Sequence, residues 1–73
     1  MSSATPVTMV EQIGETAGDI WGALAEQGPL SMAKLVRAVG QPRDVVMQGL
    51  GWLAREGKVV IEEEGRSRIV SLS

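Results

Sequence analysis

The stretch GLGWLAREGKVVIEEEGRSRIV, residues 49–70, decides the fold of this 73-residue chain. It starts with a segment that can form a helix, passes through Gly57, and continues into two β-branched runs separated by Gly65. Glycine readily takes the left-handed conformation that ends many helices, and it also takes positive φ in hairpin turns. The stretch therefore predicts a helix, a helix stop and a two-stranded antiparallel hairpin.

Upstream of this stretch, the sequence predicts a long first helix at about residues 9–27. Thr8 and Glu11 have the spacing of a capping box, in which the two side chains satisfy early helical amides. Apolar residues then recur at helical spacing until a Gly-Pro pair ends the helix. The predicted inner face of this helix consists of Ile13, Ala17, Ile20, Trp21 and Leu24.

Two shorter helices are predicted next, separated by only a few residues, which is the spacing of a helix-turn-helix. Leu30 is predicted as a short extended residue, and Ser31 as the N-cap of a helix at about 32–39. Pro42 suits the first turn of the third helix, predicted over residues 42–56. Its predicted buried stripe is Val46, Leu50, Leu53 and Ala54.

The hairpin is predicted to have strands at 58–62 and 67–72 joined by a turn at 63–66. The register stays open, because different turn types place Ile61 opposite either Arg68 or Ile69. The predicted fold class is mainly α with a small β hairpin. It is a winged helix-turn-helix with three helices and a two- to three-stranded antiparallel wing.

Three glycines, Gly14, Gly18 and Gly22, recur every four residues along the first helix. Each costs up to about 1 kcal/mol relative to alanine in an exposed helix interior, so the repeat indicates that something lies close to the helix backbone. The favoured interpretation is tight packing within the chain. The alternative is a second copy of the helix across a dimer axis.

The composition excludes several classes of site. The chain has no cysteine, histidine, tyrosine or phenylalanine, so it has no disulfide, no thiolate or imidazole metal ligand and few stacking aromatics. We predict no metal, no cofactor and no small-molecule substrate. No apolar run approaches the roughly 20 residues that span a bilayer, and no signal peptide is visible. We expect a cytoplasmic domain at residues 9–73 after a disordered tail at 1–8.

Charge is segregated along the chain. Residues 1–29 carry four carboxylates and no cation, whereas residues 30–58 carry five cations and two carboxylates. Residues 59–73 carry three glutamates and two arginines. The net charge of −2 argues against a strong polyanion binder, while the basic middle leaves a weaker one open.

The segments IGETAGDIWGAL in the first helix and GLGWLAREGKV in the third resemble a family of short bacterial winged helix-turn-helix proteins catalogued as a domain of unknown function. The resemblance covers about residues 9–72. It implies the winged-helix fold and implies little about activity. A role in DNA binding follows from the superfamily only as an analogy of fold.

One hypothesis is binding of double-stranded DNA in transcriptional regulation. Base contacts would come from Gln48 and Arg43, since amide and guanidinium groups pair with adenine and guanine. Asp44 and Glu56, on the outward side of the third helix, would repel phosphate. The predicted phosphate contacts are Lys34, Arg37, Arg43, Arg55, Lys58, Arg66 and Arg68. For the last two, ion pairing with the glutamates of the hairpin is the alternative.

A second hypothesis is a protein-interaction or homodimerisation module that does not bind DNA. With Leu50 at the centre of the buried side, helical periodicity places Val45 and Trp52 together on the outside. The predicted interface consists of Val45, Gln48, Trp52, Gly14 and Gly18. A wing folded over the Trp52 indole is the alternative.

An enzyme is not expected. The acidic run at 62–64 lies at a predicted turn, where carboxylates are solvated. The glycines of GETAGDIWG fall inside a helix, and no Lys-Ser/Thr pair follows them, so no phosphate-binding loop is predicted. No catalytic residue is proposed.

Overall fold

The computed structural model describes residues 8–73, and its helices and strands follow the predicted order. These elements are α1 (Met9–Gln27), β1 (Leu30–Ser31), α2 (Met32–Val39), α3 (Arg43–Arg55), β2 (Val59–Glu64) and β3 (Ser67–Leu72). Residues 1–7 of the predicted tail lie outside the described residues. The bounds of α1 and α2 agree with the prediction. The third helix is one residue shorter at each end than predicted, because Pro42 and Glu56 are its caps.

The N-terminus of α1 is closed by the predicted capping box. The Thr8 hydroxyl accepts a hydrogen bond from the Glu11 amide at 3.1 Å. The Glu11 carboxylate in turn accepts from the Thr8 amide and the Thr8 hydroxyl, each at 3.0 Å. The bonds from the Thr8 backbone and then its side chain stabilise the ionised carboxylate, so they hold the pKa of Glu11 below its ordinary value.

The C-terminus of α3 ends as the glycine predicts. Gly57 has φ of +74°, and its amide donates to the Ala54 carbonyl at 3.0 Å. The Lys58 amide donates to the Leu53 carbonyl at 2.9 Å. These two bonds form a Schellman motif, which satisfies carbonyls at the helix end and turns the chain into β2.

The sheet has three antiparallel strands in the order β1-β3-β2, so β3 is central and β2 is an edge strand. Ile61 lies opposite Val70, and both predicted partners, Arg68 and Ile69, are therefore wrong. The error came from the turn: β2 continues to Glu64, and the hairpin loop is the two residues 65–66 rather than the four at 63–66.

Gly65 explains the short loop. It has φ of +63° at the first loop position, where a two-residue type II′ turn requires positive φ. A tight turn of this kind extends both strands and shifts the register away from the longer turn that the acidic run suggested. The wing is thus a longer hairpin with a shorter loop than predicted.

The core lies between α1, α3 and the inner face of the sheet, and α1 packs more extensively against α3 than against α2. Its buried apolar residues are Ala17, Ile20, Leu24, Leu35, Val45, Val46, Leu50, Leu53, Val59 and Val70. Trp21 was predicted to be inside, yet 47% of it is exposed. Thr16 is buried instead. Trp21 falls at the edge of the buried face of α1, beside the seam with α3.

The close backbone approach occurs at Gly49 and not at the glycines of α1. A Cβ atom at Gly49 would lie 3.1 Å from the Ala17 amide nitrogen and 3.2 Å from Cδ1 of Ile20. At Gly14, Gly18 and Gly22, a Cβ atom would meet nothing within 4 Å. The prediction of tight packing within the chain at those three glycines is therefore wrong, and their outward side is open.

Contact through Gly49 also rotates α3 relative to the prediction. The buried residues Val45, Val46, Gly49, Leu50 and Leu53 centre the inner side about 70° away from Leu50 on a helical wheel. Val45 was predicted to be exposed and is only 4% exposed, whereas the predicted core residue Ala54 lies on the surface. A glycine carries no hydrophobic signal, so apolar periodicity assigned the wrong centre.

We predict that Gly49→Ala destabilises the fold by about 1 kcal/mol. Overpacking against the α1 backbone costs about 1–3 kcal/mol, which exceeds the gain of up to about 1 kcal/mol in helix propensity. The midpoint and slope of urea denaturation measure the change.

Gly51→Ala is the matched control, because Gly51 lies in the same helix and a Cβ atom there meets nothing within 4 Å. It should raise stability by about 0.5–1 kcal/mol through helix propensity alone. Equal stabilisation by both substitutions would show that the contact between Gly49 and Ala17 does not constrain the packing.

We predict that the capping box makes stability depend on acid pH. The ordinary pKa of the Glu11 carboxyl is 4.5 and folding lowers it, so its stabilisation is present above that value and is lost as the pH falls through the lower folded pKa. NMR titration of the carboxyl should give a pKa below 4.5 that rises only part of the way in Thr8→Ala, because the backbone amide of residue 8, the larger contributor, still donates to the carboxylate. Thr8→Ser keeps the hydroxyl and should retain the low pKa, and a Thr8→Ala variant that titrates like the wild type would contradict the assignment.

Candidate functional site

A groove lined by three arginines lies between the hairpin and the first turns of α2 and α3. Its volume is about 600 Å³. We call it the arginine groove, and its lining residues are Ser31, Met32, Ala33, Arg43, Glu63, Gly65, Arg66, Ser67 and Arg68. The arginines come from positions up to 25 residues apart in sequence, and only the tertiary fold brings them to one place.

Each arginine is positioned by a different local feature. Arg43 is the first residue of α3, directly after the N-cap Pro42. Arg66 occupies the second position of the hairpin loop. Arg68 lies two residues before the buried Val70 and so projects from the same face of β3, toward the helices.

One carboxylate enters this groove. Glu63 lies opposite Arg68 in the sheet, and its Oε2 atom is 3.5 Å from Arg68 Nε. The two side chains are 76% and 62% exposed, respectively. An ion pair this exposed contributes at most about 1 kcal/mol and is screened by salt, so Arg68 stays available to an external anion. The predicted pairing of the hairpin arginines with its glutamates is thus found at Arg68.

A second groove, of about 690 Å³, lies where α1 meets the C-terminal end of α3. We call it the tryptophan groove, and its lining residues are Gly14, Ala17, Gly18, Trp21, Trp52, Leu53, Gly57, Lys58, Leu72 and Ser73. Trp52 is 57% exposed, so the wing does not cover its indole. The predicted interface residues Gly14, Gly18 and Trp52 are brought together here.

Hydrogen bonds fix one end of the tryptophan groove. The Ser73 hydroxyl donates to the Gly57 carbonyl at 2.6 Å, and the Ser73 amide donates to the Lys58 carbonyl at 3.1 Å. These bonds join the end of β3 to the turn that follows α3. The surface beside Trp52 is therefore held in place by hydrogen bonds between the end of β3 and the turn after α3.

The remaining predicted site residues separate into three groups. Lys34, Arg37, Gln48 and Arg55 are exposed on α2 and α3 and line neither groove. Lys58 lines the tryptophan groove instead of joining the arginines. Val45 is buried in the core, so the predicted exposed pair of Val45 and Trp52 does not exist.

Sequence reasoning missed Trp21 as a surface residue. The spacing indicated its position. Gly18 follows Gly14 by four residues and Trp21 follows Gly18 by three, so the three residues share one face of a helix. The side chain was assigned to the core because of its size and apolarity. In the structure it lines the same groove as Trp52 and the two open glycines, Gly14 and Gly18.

Among residues 8–73, there is no cluster of three or more acidic side chains that could hold a metal ion. Over the same residues, none of the helices combines the length and the apolarity needed to cross a membrane.

Residues 9–72 match the sequence profile of a family described as a winged helix-turn-helix domain (DUF2582). The chain belongs to this family. A similar protein from Methanocaldococcus jannaschii is 33% identical over 63 residues, which cover 84% of this chain and 90% of the relative. That relative is named only as an uncharacterized protein. That relative is archaeal, so the expectation of a bacterial protein is not confirmed.

The family assignment confirms the predicted fold: three helices followed by an antiparallel wing, with β1 as the third strand. Winged helix domains are commonly DNA-binding regulatory modules, while the function of this family is unknown. The function must therefore be inferred from the chemistry of the two grooves.

Proposed function

We propose that this domain binds double-stranded DNA through the arginine groove, with the first turns of α3 directed at the major groove and the wing at the flanking backbone. The convergence of Arg43, Arg66 and Arg68 on one groove carries this proposal. Guanidinium groups donate in a fork that matches phosphate oxygens and the O6/N7 edge of guanine. Because the rest of the chain is acidic, the arginine groove is the cationic surface to which a nucleic acid would bind.

The order of the elements supports the same orientation. In a helix-turn-helix, the second helix lies in the major groove and its N-terminal residues contact base edges, while the first crosses the backbone. Here those helices are α2 and α3, and their N-terminal turns both line the arginine groove. Arg43 and the exposed Gln48 are the candidates for base contacts, with Arg66 and Arg68 on the backbone.

The acidic residues are distributed so that most of them leave this groove free. The carboxylates of α1 do not line it, and Glu63 is the acidic residue that does. The exposed Asp44 directs its Oδ1 atom to the Val45 amide, from which it accepts a hydrogen bond at 2.9 Å. The chain as a whole is acidic, but few carboxylates oppose the arginines within the groove. We therefore expect weak attraction to DNA at long range and a small number of charged contacts at short range.

The proposed DNA interface contains fewer phosphate contacts than the sequence predicted. Arg55 lies twelve residues after Arg43 in α3, about 18 Å along the helix axis. Lys58 follows the helix and borders the tryptophan groove. Both cations are at the end of α3 away from the wing arginines, so we leave them outside the proposed DNA interface.

We predict that binding to a mixed-sequence duplex weakens steeply with salt. Two phosphate contacts, from Arg66 and Arg68, give a slope of about −2 in a plot of log binding constant against log salt concentration. Arg66→Ala removes one contact and should make the slope shallower by about 1 and lower the affinity at low salt. Fluorescence anisotropy with a labelled duplex, repeated over a salt series, measures both quantities.

Arg37→Ala is the matched control. It removes the same charge from an exposed position on α2 that lines neither groove. Its slope should stay near that of the wild type. Absence of binding at low salt would refute the proposal, as would equal effects of the two substitutions, since attraction would then follow net charge rather than the groove.

A further inference from the structure

The outer edge of β2 has no partner strand. β2 lies at one side of the sheet and pairs with β3 along only one of its two edges. From Val60 to the hairpin loop every residue is exposed, and among residues 8–73 no helix or loop backbone hydrogen-bonds to this stretch. An open edge of this kind presents unpaired amide and carbonyl groups, and it can accept a further strand.

The hydrogen bonds of the hairpin determine which backbone groups of β2 face outward. The Ser73 amide donates to the Lys58 carbonyl at 3.1 Å, so these two residues form a hydrogen-bonded pair of the antiparallel ladder. Such pairs alternate with non-bonded pairs along a strand. In the observed register, Lys58 and every second residue after it face β3, whereas the amides and carbonyls of Ile61 and Glu63 face outward.

The side chains of β2 give this edge a definite chemistry. Val59 is buried, so Val60, Glu62 and Glu64 lie on the outer face of the sheet. Glu63 lies on the opposite face, where it forms the ion pair of the arginine groove. Among the described residues, the two glutamates of the outer face have no ion-pair partner. The outer face of β2 is therefore acidic toward the hairpin loop and apolar toward α3.

We propose that the outer edge of β2 is a docking site for an extended, basic segment of another protein, which joins the sheet as an additional strand. The backbone of that segment bonds to the outward groups of Ile61 and Glu63. Two cationic side chains, two residues apart, lie opposite Glu62 and Glu64, and an apolar side chain lies opposite Val60. In the antiparallel orientation the basic residues come first in the partner segment.

Charge favours a different protein over a second copy at this edge. β2 carries three glutamates and no cation. Pairing β2 with β2 would gather the glutamates of both copies in one short ribbon, where they repel each other. A basic segment converts the same carboxylates into attractive contacts. The glutamates therefore disfavour acidic or uncharged strands, which protects an open edge from non-specific pairing, and they select a cationic one.

The first experiment titrates the purified chain with a capped peptide, Lys-Thr-Lys-Val-Ile, designed to run antiparallel from Glu64 to Val60. Binding with a dissociation constant of about 1 mM or lower should perturb the amide NMR signals of Ile61 and Glu63 most, and should slow their exchange with solvent. Unchanged β2 signals at about 5 mM peptide overturn the proposal. Protection of these amides that grows with protein concentration before peptide is added would assign the edge to a second copy, which also overturns it.

The second experiment tests strand pairing with N-methylated peptides. In the designed register, the second and fourth residues of the peptide lie opposite Glu63 and Ile61 and direct their amides at β2. Methylation of these two amides should weaken binding by about tenfold or more, because it removes the donors and adds bulk at the edge. Methylation of the third and fifth residues, whose amides face solvent, is the matched control and should change the affinity by less than about threefold. Equal effects of the two methylation patterns overturn the proposal, since binding would then depend on charge alone.

Charge substitutions test the acidic face. Glu62→Lys should weaken binding of the peptide by about tenfold, because it places like charges opposite each other across the new strand pair. Glu26→Lys makes the same change in net charge at an exposed position of α1 and should leave the affinity near that of the wild type. Circular dichroism checks that both variants fold. Equal weakening by the two substitutions overturns the proposal. None of these measurements involves DNA, so their outcome is independent of the proposed function.

Discussion

The close contact between Gly49 of α3 and the backbone of Ala17 in α1 sets the geometry of the whole domain. A Cβ atom at position 49 would lie 3.1 Å from the Ala17 amide nitrogen, so a larger residue there requires a shift of a few tenths of an ångström, and α1 and α3 form the main helix pair of the core. Their closest point fixes which side of α3 turns inward. It places Val45 in the core and turns Ala54 out, and every surface feature of α3 follows from that rotation.

The same rotation gives the two ends of α3 different surroundings. Its first turn meets α2 and the wing, where Arg43 joins the arginines of the hairpin. Its last turns run along α1, where Trp52 reaches the surface at the seam and Trp21 flanks it from the other helix. A cationic groove and an apolar groove therefore lie at opposite ends of a helix about 20 Å long. The two grooves share no lining residue.

The sequence by itself determined the elements whose causes are local. The capping box at Thr8, the glycine stop at Gly57 and the apolar spacing of α1 each act within a few residues, so helix bounds and fold class were predictable. The tertiary structure alone decided the strand register, the rotation of α3 and the exposure of Trp21. Register depends on whether the turn closes over two residues or four. Rotation depends on a contact made by Gly49, which has no side chain and so leaves no mark in a pattern of apolar residues. The convergence of three distant arginines likewise requires the wing to fold back beside α2 and α3.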